Sequence, residues 1–114
     1  KVEWGESLVD ASRRGLKEET GLVGQPELFA IRHYRVYISA KEMVEDKVMY
    51  AHFIGNPKGD LSGNIEGEFE WVKDADLKKV VTKPLEEFWE FYNALKSFGD
   101  QVTFKEIDVI TDKF

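Results

Sequence analysis

The stretch Glu6-Ser7-Leu8-Val9-Asp10-Ala11-Ser12-Arg13-Arg14-Gly15-Leu16-Lys17-Glu18-Glu19-Thr20-Gly21-Leu22 decides the reading of the chain. Ser7 followed by Asp10 is a capping-box-like start, in which a side-chain oxygen accepts from an early helical N–H that has no partner inside the helix. Leu8, Ala11 and Leu16 then form a sparse apolar stripe. Gly21 is a good stop, because glycine enters the left-handed region without a Cβ clash. These signals predict a helix over residues 8–20. Positions three or four apart share a helix face, so Gly15 lies near both Glu18 and Glu19, and Arg14 reaches Glu18. Clustered carboxylates repel one another unless a cation sits among them. Hard oxygen donors of this kind suit Mg²⁺ or Mn²⁺.

Composition narrows the chemistry. At 114 residues the chain fits one domain, 1–114. It is 42% hydrophobic and 13% aromatic, enough for a packed core. A formal charge of −6 argues against general nucleic-acid binding, which uses basic patches against phosphates. There is no cysteine, which excludes disulfides, thiolate zinc sites and a cysteine nucleophile. A metal must then be held by oxygen or imidazole, and 22 acidic residues against two histidines favour oxygen. No apolar run approaches the roughly 18 residues a membrane helix needs, and no signal-peptide pattern is present. The expected location is cytoplasmic by default, with no membrane partner.

Beyond the opening helix, Leu28 to Ser39 is rich in aromatic and β-branched residues and predicts a strand. Ala40 to Asp46 is expected as a charged turn, with Lys47 to Ile54 as the hairpin partner. Gly55 to Asn64 is turn-rich and lacks the Lys-Ser/Thr pair of a P-loop. Glu68 to Lys73 is expected as a short strand with Trp71 in the core, and Asp74 to Lys79 as a short helix. Pro84 suits the first turn of a longer helix over 84–98, with Leu85, Phe88, Trp89, Tyr92 and Leu95 on one face. Val102 to Thr111 is expected as a final strand. His33 and His52 fall in predicted strands with no metal spacing between them, and each is read as a surface or partly buried side chain.

Residues 6–22 resemble the Nudix box: Gly, five residues, Glu, seven residues, Arg-Glu-aliphatic, one residue, Glu-Glu, one residue, Gly-aliphatic. Glu6, Arg14, Leu16, Glu18, Glu19, Gly21 and Leu22 take the fixed positions. The opening glycine of the pattern falls one residue ahead of Lys1. Where the pattern places glutamate after the arginine, the chain has Gly15. A chance match of the Glu, Arg and Gly positions at one start is on the order of one in a million at ordinary usage.

The resemblance implies a Nudix-like α/β/α sandwich, an α/β (α+β) fold with a mixed sheet between helices. The box spans 1–22, sheet and loops 27–73, the C-terminal helix 84–98 and the terminal strand 102–111. Family members carry strands ahead of the box, so the expectation is an N-terminally truncated domain, a fragment of a longer protein or one completed by another segment or subunit. Val102 to Thr111 is a candidate to fill part of that gap, and the incomplete sheet edge makes a homodimer a reasonable expectation.

For function the resemblance implies Mg²⁺- or Mn²⁺-dependent cleavage of the pyrophosphate in a small nucleotide-type substrate. The substrate expected is a nucleoside diphosphate linked to another moiety. Glu18 and Glu19 are the metal ligands, with Glu6 either a further ligand or a partner of the helix dipole. Arg14 orients the carboxylates. Glu66, in the acidic run Glu66-Gly67-Glu68-Phe69-Glu70-Trp71, is the first choice to replace the missing box glutamate as base or ligand, and Glu68 the second. No residue is singled out for binding the rest of the substrate. Gly15 leaves open a second function, a catalytically weak Nudix-like ligand-binding or regulatory domain.

Overall fold

The structure is a computed structural model, and it describes residues 1–61, 70–81 and 86–111. The first helix, α1 (Leu8–Thr20), has the predicted bounds. The Ser7 hydroxyl accepts from the Asp10 N–H at 3.1 Å. Gly21 ends the helix at φ 79°, its N–H donating to the Lys17 carbonyl at 3.0 Å. The sequence signals therefore act through the geometry expected of them: one early N–H and one late C=O find partners that the helix cannot supply.

Three strands follow: β1 (Pro26–Ser39), β2 (Glu42–Ile54) and β3 (Thr103–Ile110). β1 pairs with β2 antiparallel and with β3 parallel, giving a mixed sheet of order β2-β1-β3. The terminal strand thus joins the sheet, as expected. Parallel pairing needs a long crossover. The chain between β2 and β3 supplies it and contains a 3₁₀ turn (Asp74–Asp76), the short helix α2 (Leu77–Val80) and α3 (Glu86–Lys96).

Two expectations are corrected. Residues 40–46 are not a turn, because β2 resumes at Glu42 and only Ala40 and Lys41 lie between the strands. The charged side chains there find partners without breaking the backbone ladder: Glu45 pairs with Lys47 at 2.9 Å, and Asp46 with His33. The expected strand 68–73 falls partly outside the described residues. Its described part, 70–73, is not strand, and Trp71 is 68% exposed rather than in the core. Among the described residues no strand pairs with this segment. Pro84 is also outside the described residues.

Alternation assigns the two faces of the sheet. Arg32 and Tyr34 face α3, where Glu90 meets Arg32 and Phe91 lies edge-on to Tyr34. Phe29, beside a bulge between Leu28 and Ala30, makes edge-to-face contacts with Phe53, Phe91 and Phe98 at 6.0–6.5 Å between ring centroids. That aromatic cluster is the centre of the core. The opposite face carries Ile31, His33 and Arg35, flanked in register by Tyr50, Val48 and Asp46 on β2 and by Phe104, Glu106 and Asp108 on β3. On this side α1 meets β2. Helices therefore lie on both faces of the sheet, the layered arrangement expected from the sequence.

Candidate active site

Arg14, midway along α1, ties the segment before the helix to Glu18 one turn further on. Its Nε donates to Glu6 Oε2 at 2.8 Å and its Nη2 to Glu6 Oε1 at 2.9 Å, the two-pronged geometry that guanidinium and carboxylate share. Nη2 also donates to the Lys1 carbonyl at 2.8 Å, and Nη1 to Glu18 Oε2 at 3.3 Å. The Glu3 N–H adds a third hydrogen bond to Glu6, at 3.1 Å. Arg14 first, then the Glu3 amide, hold the Glu6 carboxyl down at about 2, well below its ordinary 4.5. The same partner pushes the Arg14 guanidinium further up.

Sequence reasoning left Glu6 open between metal ligation and helix-dipole stabilisation. In the structure both its oxygens accept from Arg14, so it anchors the guanidinium and the segment before the helix. Sequence reasoning also missed Lys1 and Glu3. Their hydrogen bonds run through main-chain atoms, which no side-chain pattern reveals, and the Glu3 carboxylate also lies 4.0 Å from Arg14.

Glu18 and Glu19 lie near the other end of α1. Glu18 places one oxygen on Arg14 and is 62% exposed. Glu19 is exposed and makes no hydrogen bond or ion pair among the described residues. Gly15 lies on the same face as Glu19, four residues away. A Cβ built on Gly15 would meet nothing within 4 Å among the described residues, so neither their packing nor a left-handed backbone requires glycine there. Lower on that face, Leu8, Ala11 and Ser12 border a cleft of about 410 Å³, with Val48, Tyr50 and His52 of β2 among the residues across it. Seven residues of helix separate Ser12 from Glu19, about 10 Å along the axis.

Among the described residues no group of three or more acidic or histidine side chains is close enough to enclose a metal ion. The donor set still fits one: Mg²⁺ keeps most of its water and takes one or two carboxylates plus substrate phosphates, and two exposed carboxylates on one helix end meet that need. Glu66 and Glu68 lie outside the described residues. His33 contacts carboxylates of both neighbouring strands, and His52, which borders the cleft, has its Nε2 buried without a partner among the described residues. Tyr34 is buried and Arg35 is paired with Asp108.

A family model described as the NUDIX domain matches residues 1–95, most of the chain including the whole of this site. The chain belongs to the Nudix family. Its fold is similar to that of the crystal structure of the Mutator MutT protein from Bacillus halodurans, with a TM-score of 0.78 at 23% identity over 98% of this chain and 72% of that one. No curated protein matches. Among the described residues no helix is long and apolar enough to cross a membrane.

Proposed function

We propose that this chain hydrolyses the pyrophosphate bond of a nucleoside diphosphate linked to another moiety, with Mg²⁺ or Mn²⁺ as cofactor. The observation that carries this reading is the pairing of Arg14 with Glu6 on one side and Glu18 on the other. It fixes one carboxylate oxygen at the helix face and leaves the remaining acidic oxygens of Glu18 and Glu19 turned to solvent. Those two side chains would hold the metal. When bound, the ion neutralises phosphate charge and lowers the pKa of coordinated water. Glu6 is a positioning residue that acts through Arg14, not a ligand. Glu66 is proposed as the base or additional ligand that stands in for the carboxylate missing at position 15. Water adds across the P–O–P bridge, giving a nucleoside monophosphate and the phosphorylated second moiety.

A second reading, a Nudix-like binding or regulatory domain, is favoured by Gly15 alone. Assaying the wild-type chain and Gly15→Glu against a panel of nucleoside diphosphate derivatives with Mg²⁺ separates the two. Turnover by the wild type supports the hydrolase, and turnover by Gly15→Glu alone supports the binder.

A further inference from the structure

His33 lies on the middle strand with a carboxylate on each side. Its Nε2 is 2.5 Å from Asp46 Oδ1 on β2, and its Nδ1 is 3.3 Å from Glu106 Oε2 on β3. An ionised carboxylate only accepts hydrogen bonds, so each contact needs an N–H on the ring nitrogen that faces it. Neutral imidazole has one N–H and imidazolium has two. Both contacts are hydrogen bonds only while the ring carries its second proton.

Among the described residues, the cations of the neighbouring strands and of α1 are engaged elsewhere, and Lys1 borders the cleft between α1 and β2 together with Tyr50 and His52. Arg35, two residues along β1 on the same face, donates Nε and Nη2 to Asp108 at 2.8 and 2.9 Å. Lys47 and Glu45 of β2, Lys105 of β3 and Arg32 of β1 belong to the opposite face, where they pair among themselves and with Glu87 and Glu90 of α3. On α1, Arg13 is held by Asp10 and Gln25, and Arg14 by Glu6 and Glu18. Among the described residues β3 is joined to the sheet through β1 alone, and it lies beyond the part of the chain that matches the family model.

We propose that His33 is a pH-sensitive latch for β3: the protonated ring ties Glu106 to the sheet, and deprotonation releases it. The release is directional. The shorter contact to Asp46 retains the remaining N–H, which leaves Nδ1 presenting a lone pair to Glu106. The hairpin β1–β2 keeps its hydrogen bond, and β3 exchanges one for a repulsion. The two carboxylates, Asp46 the stronger, hold the ring's pKa above its ordinary 6.5. The latch is therefore fully closed below 6.5 and opens as the pH rises through the elevated value.

NMR on the full chain tests this by following the His33 ring protons and amide-exchange protection, corrected for intrinsic rates, across the pH range. The expected result is a His33 midpoint above 6.5 and a two- to fivefold loss of protection, the scale of one partly exposed ion pair, at Lys105 to Ile107 over that same midpoint. The β1–β2 amides should stay unchanged. Glu106→Gln, which keeps the shape and removes the charge, should abolish the pH dependence at β3. A midpoint at or below 6.5, protection at β3 that ignores the His33 titration, or the same dependence in Glu106→Gln would each overturn the proposal.

Discussion

Glu6 and Arg14, eight residues apart, are joined by two parallel hydrogen bonds of 2.8 and 2.9 Å, and the same guanidinium reaches Glu18 one turn further on. One side chain thus couples the segment before α1 to the carboxylates near its end. Lysine carries a point charge and cannot make the fork. Arg14→Lys should lower hydrolytic activity by about 10- to 100-fold, the usual effect of disturbing a group that orients a metal ligand. Steady-state kinetics should show the loss, with the Mg²⁺ requirement moving to higher concentration. Unchanged kinetics would mean that Arg14 does not position the site.

The same pair predicts an acid limit. Glu6 titrates at about 2 when folded against an ordinary 4.5, because Arg14 and the Glu3 amide favour its ionised form. A depressed carboxyl contributes stability that is fully present above about 4.5 and is lost as the pH falls toward 2. Protection of the α1 amides should fall in that window, and Glu6→Gln should remove this component of the pH dependence.

Glycine inside a helix is less favourable than alanine by roughly 1 kcal/mol, and the space above Gly15 is open. Gly15→Ala should therefore raise the unfolding free energy by about 0.5–1 kcal/mol in urea titrations. A loss of stability would show that glycine is required there for a reason outside the helix geometry.

Arg32 is 1% exposed, and its guanidinium bonds Glu90 of α3, the Ile31 carbonyl, and the carbonyl and hydroxyl of Thr103 at the start of β3. Removing it strands Glu90 and two carbonyls. Glu90 is partly exposed and lies 3.5 Å from Lys105, which softens the effect. Arg32→Met should destabilise the fold by about 3 kcal/mol, the low end for a broken buried pair. Urea unfolding would read it directly, and a change under 1 kcal/mol would contradict the assignment.

The box helix was legible to the residue because its signals are local: Ser7, the apolar spacing and Gly21 each act within one turn. The hairpin's reach was not. Glu42 to Asp46 read as a turn by charge, and only tertiary partners such as His33 make that composition suit a strand. Trp71 read as core because an aromatic ring is usually buried, yet among the described residues no strand pairs with its segment. In the site, the contact between Arg14 and Glu18 was visible from their spacing. The pairing of Glu6 with Arg14 was not, because it depends on the main-chain path of Lys1 to Gly5.

Nucleoside monophosphate release from a panel of nucleoside diphosphate derivatives, with and without Mg²⁺, in wild type, Glu18→Gln and Glu19→Gln, tests the proposed hydrolysis. At least one derivative should be cleaved only when the metal is present, with cleavage reduced in both variants. No cleavage of any derivative, or cleavage that ignores both the metal and the two substitutions, would contradict it.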